Sequence, residues 1–186
     1  MNQTIDSFMS QIKDVLSKTA SVEISQLERD INTTFFRDGR IFLIGNGGSQ
    51  AICSHITTDL IKRCNINTHS LNSDSMITCL ANDYGFDQMY VEWLKGFNIG
   101  YDDMLIAISS SGKSKNILNA IKFADHMGTN ISFMHGFNVN EFKSKNPNIA
   151  FSSYIFLDSD NYGVVELGTE IILHSIVEKI VNEINK

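Results

Sequence analysis

A chain of 186 residues with a net charge of −6 is long enough for one domain with a sizeable core, and its acidity argues against any general affinity for nucleic acid or anionic membrane. No apolar run reaches the roughly 18–20 residues that a bilayer span needs. Cys53, Cys64 and Cys79 are odd in number and lack metal-type spacing, which points to a reducing, cytoplasmic setting rather than a disulfide framework. The opening stretch, MNQTIDSFMSQIKDVL, has no basic-then-apolar order, so no signal peptide is expected.

The first 38 residues read as two helices. Phe8, Ile12 and Leu16, then Val22, Ile24, Leu27, Ile31 and Phe35, recur at helical spacing, with a break at residues 18–21 and Asp38-Gly39 as the closing glycine cap. From there the chain alternates. A strand is predicted at 41–44, a helix at 49–63, a short strand at 68–72 and helical segments at 74–82 and 86–97. A strand at 104–108 follows, then a helix at 114–127, a strand at 131–135, a loop through FNVNEFKSKNPN, a strand at 151–157 and a last helix at 163–184. Strands alternating with helices predict a parallel sheet covered on both faces. No repeat or linker divides residues 1–186, so a single domain is expected, with 1–38 as a helical extension and 39–186 as the α/β core.

Two strand-to-helix loops are rich in donors: GNGGS at 45–49 and SSSGKS at 109–114. Glycines let backbone N–H groups approach a ligand closely, and serine hydroxyls add donors at the positive end of a helix dipole, so both suit a small anion whatever the global charge. Each loop has a competing reading. GNGGSQA is an imperfect dinucleotide fingerprint, with Gln50 at its third glycine position and Asp74 after the next strand. AISSSGKS at 107–114 nearly matches a P-loop, with Ala107 in place of the first glycine and the strand YIFLD at 154–158 ending in an aspartate.

The helix after GNGGS places His55 and Asp59 four residues apart on one face, and Arg63 extends that face by a turn. The last helix carries Glu166, Glu170 and His174 at the same interval. Taken alone, the first set also fits a solvated polar face, and His174 among apolar neighbours also fits a core histidine. Two histidines and carboxylates are chemically suitable zinc ligands, although their spacing does not identify a metal.

GNGGS, NDYGFD at 82–87 and SSSGKS, in that order, resemble the sugar isomerase (SIS) domain, and more narrowly the phosphoheptose isomerase family, over nearly the whole chain. The resemblance implies a flavodoxin-like five-stranded parallel sheet with helices on both faces and two helices at the N-terminus. It also implies a homotetramer with active sites between subunits, and no nucleotide cofactor. The substrate would be a phosphorylated sugar, sedoheptulose 7-phosphate, isomerised through an enediol to supply heptose precursors for bacterial surface polysaccharide. By the same resemblance Ser109, Ser110, Ser111 and Ser114 hold the phosphate, and Asn46, Gly47, Gly48 and Ser49 line the other side. Arg63, Asp83 and Glu166 complete the substrate site. Asp59 and His174, from different subunits, are the catalytic pair, and His55, Asp59, Glu166 and His174 form the zinc site of some members.

The chain departs from the family pattern at several of these positions. Asp59 stands for a glutamate, Glu166 for a glutamine, Lys113 for an asparagine, and Gly163 and Val164 for an aspartate and an arginine. Other members of the fold bind a replication initiator as scaffolds or sense phosphosugars without turnover, and those functions are the alternatives.

Overall fold

A computed structural model describes residues 4–137, 142 and 144–184. Five parallel strands, β1 (Ile41–Ile44), β2 (Thr68–Ser70), β3 (Met104–Ser109), β4 (Asn130–His135) and β5 (Ser153–Phe156), lie in the order β2-β1-β3-β4-β5. This is the flavodoxin-like doubly wound order, in which ligands sit beyond the carboxyl ends of the strands flanking the switch point between β1 and β3. The helices among the described residues are α1 (Ile5–Lys18), α2 (Ser21–Phe36), α3 (Gly48–Cys64), α4 (Asp74–Tyr84), α5 (Met89–Gly96), α6 (Lys115–His126) and α7 (Tyr162–Ile184). Residues 138–141 and 143 of the expected loop lie outside the described residues.

The central strands are buried on both faces, and their period-two alternation divides the interior into two cores. Ile41, Leu43, Met104, Ile106 and Ile108 point to the side covered by α1, α2, α3 and α7, where Leu27, Ile31, Ile56, Leu60, Leu173 and Ile176 meet them. Phe42, Ile44, Leu105, Ala107 and Phe133 point to the other side, against Tyr90, Trp93 and Leu94 of α5 and Ile117 and Ile121 of α6. One consequence fixes the site. α3 and α7 pack against each other on the same face of the sheet, so their polar stripes are brought together. The two N-terminal helices contribute Ile12, Val15, Leu27 and Ile31 to this same core.

One local expectation is corrected. The residue that turns α2 into the left-handed region is Asp38 (φ 59°), not Gly39, because a short polar side chain tolerates that conformation. Gly39 is needed for a different reason: a Cβ there would lie 1.9 Å from the Asp102 carbonyl oxygen. At this end of the sheet Arg40 donates to both carboxylate oxygens of Asp103, at 3.0 and 2.7 Å, and the Arg40 and Gly100 amides donate to them as well. Burial pushes the Asp103 carboxyl up, but the Arg40 and Gly100 hydrogen bonds outweigh it and hold the group below the usual range.

Candidate active site

The two donor-rich loops meet at the switch point. Asn46, Ser49, Ser109, Ser110, Ser111, Ser114, Tyr162 and Glu166 line one small cavity of about 90 Å³ over the end of β3. Two amides lock the loops together: Asn46 Nδ2 donates to Asn116 Oδ1 at 2.9 Å, and Asn116 Nδ2 returns a bond to Asn46 Oδ1 at 2.8 Å. The buried Tyr90 hydroxyl donates to the Gly45 carbonyl and also bonds Gln50 Oε1 at 3.1 Å. Burial pushes this phenol well above its ordinary range, so it stays protonated as a donor.

The helix ends at the cavity are open to a ligand. Gly47 leads into α3 at φ 55° with no side-chain cap. Ser114 stands at the N-cap of α6, but its hydroxyl meets Ser109 Oγ at 3.4 Å and does not bond the helix. Neither N-cap side chain therefore satisfies its helix; in α6 the Ile117 amide is taken by Asn116 Oδ1 at 3.0 Å, and the amides that precede it can serve an anion. Gly48 has a specific purpose, since a Cβ there would come within 2.5 Å of the Glu166 carboxylate. With hydrogen in its place, that carboxylate lies over the first turn of α3, where the dipole favours negative charge.

About two turns along α3 and α7 stands the second group. His174 Nδ1 is 3.5 Å from Asp59 Oδ2, and His55 Nδ1 is 3.5 Å from Glu170 Oε1. The two imidazole rings are 4.7 Å apart at 73°. Asp59 and His174 thus meet within one chain, where the resemblance implied a pairing across subunits; the packing of α3 on α7 is the reason. His55, Glu170 and His174 offer ligand atoms all within 4.8 Å of one another. Two imidazoles and a carboxylate fit zinc or a similar divalent ion chemically.

The remaining predicted residues fall elsewhere. Glu166, expected among the metal ligands as well as at the substrate, lines the loop cavity, and Glu170 is the acid beside both imidazoles. Arg63 lies beyond Asp59 (3.7 Å) and is held by Glu178 at 2.7 Å, outside the cavity lining. Asp83 sits near the exposed end of α4, where its hydrogen-bond partners are Asn82 and Cys79. Sequence reasoning missed Asn116, Tyr90 and Tyr162, which carry no motif. Glu170 stood out by its i, i+4 spacing to His174, but the resemblance assigned the ligand role to Glu166 instead.

The geometry also disposes of the nucleotide readings. Ala107 is inside β3, paired with Ile44 and Phe133, and the chain turns only after Ser109, where the Gly112 amide (φ 65°) closes back on the Ser109 carbonyl, so no P-loop turn starts at Ala107. β5, which carries the first three residues of YIFLD, is an edge strand separated from β3 by β4. Gln50, at the third glycine position of the dinucleotide pattern, donates to the Leu71 carbonyl and to Asn72.

A five-stranded sheet in this order, with a serine loop after the central strand and a glycine loop after β1, defines a flavodoxin-like α/β domain with an anion-suited site at its switch point. The SIS domain family matches residues 7–134, and the chain belongs to that family. Within it the chain belongs with the phosphoheptose isomerases: it is 31% identical over 137 residues to the phosphoheptose isomerase of Akkermansia muciniphila, covering 69% of this chain and 71% of that protein. It is 37% identical over 101 residues to the phosphoheptose isomerase of Helicobacter pylori (strain HPAG1), a match that covers 51% of this chain and spans about half of that relative's length (52%). The fold superposes on a phosphoheptose isomerase structure from Francisella tularensis with a TM-score of 0.84 at 22% identity, covering 96% of this chain and 94% of that one. No helix among the described residues is long and apolar enough to cross a membrane.

Proposed function

We propose that this chain is an aldose–ketose isomerase of a phosphorylated sugar, converting sedoheptulose 7-phosphate to D-glycero-manno-heptose 7-phosphate. One observation carries the reading: a cavity lined by hydroxyl and amide donors and an acid–imidazole cluster share the same two helices, α3 and α7. Glu166 and His174 are eight residues apart, about 12 Å along the helix axis, comparable with an extended sugar phosphate. The hydroxyls of Ser109, Ser110, Ser111 and Ser114 and the α6 N-terminus take the phosphate, and Asn46, Ser49 and Glu166 bond sugar hydroxyls. Arg63 and Asp83 enter the substrate site from the subunit boundary of a homotetramer. No residue of α4 is buried, and its exposed Met76 and Tyr84, with Phe86 just beyond, support burial of that surface by another copy.

The carbonyl end of the sugar then lies at the cluster. Asp59 removes the proton from the carbon beside the carbonyl and returns it to the neighbouring carbon. His174 moves a proton between the two oxygens of the enediol. Electrons stay within the substrate, so the reaction requires no nucleotide cofactor. A zinc ion held about His55 and His174 would occupy the His174 nitrogen used in that transfer and would supply polarisation of the substrate oxygens in its place. The reading is tested by following sedoheptulose 7-phosphate by NMR with purified protein, with and without zinc. Appearance of the aldose 7-phosphate is expected. Binding without conversion would instead favour a phosphosugar sensor, and absence of both would favour a scaffold.

A further inference from the structure

Three carboxylates stand near the two imidazoles, and they face different things. Glu166 lies one turn before Glu170 and two before His174, in the loop cavity over Gly48. Asp59 Oδ2 faces Nδ1 of His174 at 3.5 Å and Arg63 at 3.7 Å, and Arg63 is fixed in turn by Glu178 at 2.7 Å. Glu170 Oε1 alone faces both rings, 3.5 Å from His55 Nδ1 and 3.9 Å from His174 Nε2.

The geometry points to a metal site built from His55, Glu170 and His174, with Asp59 as the positioning residue that orients His174 and Glu166 left to the sugar. This inference rests on the zinc reading above and specifies its ligand set. The tautomer follows from the geometry. A carboxylate facing Nδ1 of His174 holds a proton on that nitrogen, which leaves the Nε2 lone pair directed toward Glu170 and the metal. A carboxylate that accepts from the far nitrogen of a ligating histidine is the usual outer support of such a site. The shorter reach of Asp59 suits this role, and its second oxygen remains for proton transfer at the substrate. Three protein ligands leave a fourth position open, as catalytic rather than structural zinc sites do.

Cobalt(II) is the probe, because its visible absorption reports ligand number and geometry independently of turnover. Purified wild-type protein should bind one cobalt per chain with a four-coordinate spectrum, displaced by zinc. Glu170→Gln and Glu170→Ala should weaken cobalt binding by at least the ~100-fold upper bound for loss of an outer support, and should change the spectrum. Glu166→Gln should stay within about threefold of wild type, since an outer support alone would cost about 10–100-fold. Asp59→Asn should lose about 10–100-fold in affinity while keeping the wild-type band pattern, a combination that a purely structural role would not give. Circular dichroism establishes that each variant is folded. Wild-type affinity in both Glu170 variants would overturn the assignment and leave the zinc reading standing. Equal losses in the Glu166 and Glu170 variants would overturn the exclusion of Glu166. Failure of the wild-type protein to bind either metal would overturn the zinc reading and this assignment together.

Discussion

The loop cavity and the histidine cluster share two helices but are built by different means. The cavity is made of backbone turns and neutral donors at the ends of β1 and β3, with Gly47 and Gly112 in left-handed conformations and the Asn46–Asn116 amides tying the loops. The cluster contains no special backbone. It is four side chains at helical intervals on α3 and α7, and it exists only because those helices pack. A binding site made from local turns can hold a ligand without the cluster, whereas the cluster has no substrate unless the cavity holds the other end.

That division can be broken experimentally. His174→Ala should have the largest effect, lowering turnover by about 10²–10⁴-fold while phosphosugar binding, followed by calorimetry, survives. Full activity would remove His174 from the mechanism, and loss of binding would show that the regions are not separable. Asn116→Ala leaves the Asn46 amide without its partner beneath the cavity, and should cost about 1–3 kcal/mol in urea denaturation and loosen both loops. An unchanged midpoint would mean the amide pair contributes no net stability. Ser111→Ala should raise KM about 5- to 10-fold with kcat nearly constant, since its hydroxyl meets a group distant from the reacting carbons. A fall in kcat instead would place Ser111 near the chemistry.

The smallest effect tests the frame beneath both regions. Burial, and then the Arg40 charge, lower the pKa of His69 below its ordinary value. A base whose folded pKa is depressed stabilises the fold above its unfolded value, near 6.5, and loses that contribution as the pH falls through the folded value. Denaturation midpoints should therefore decline on acidification below about pH 6.5, and His69→Gln should flatten part of that slope. The cobalt and sugar sites should respond independently of this change, because His69 lies on β2, at the sheet edge.

Most of the fold was legible because it is written in local periodicity. The strands at 41–44, 104–108 and 131–135 are apolar runs, and the structure has β1, β3 and β4 there. Boundaries shifted where polar residues blur the pattern: β2 stops at Ser70 and α5 begins at Met89. The loop half of the candidate site was equally readable, since glycine and serine runs must lie where backbone meets ligand. The acid of the cluster was less so. Glu166 and Glu170 are both on the helical stripe that leads to His174, and only the rotation of α7 against α3 separates one facing Gly48 from one facing His55.

By itself the sequence determined the α/β alternation, the two anion-suited loops and the residues available for chemistry, because turn formation and burial periodicity act over a few neighbouring residues. The tertiary structure decided which of those residues meet. It put Asp59 and His174, 115 positions apart in sequence, within 3.5 Å in one chain, set Glu170 between the imidazoles and left Arg63 bound to Glu178. Such pairings depend on the angle and register at which two helices pack on a twisted sheet, and no short segment of the chain encodes that.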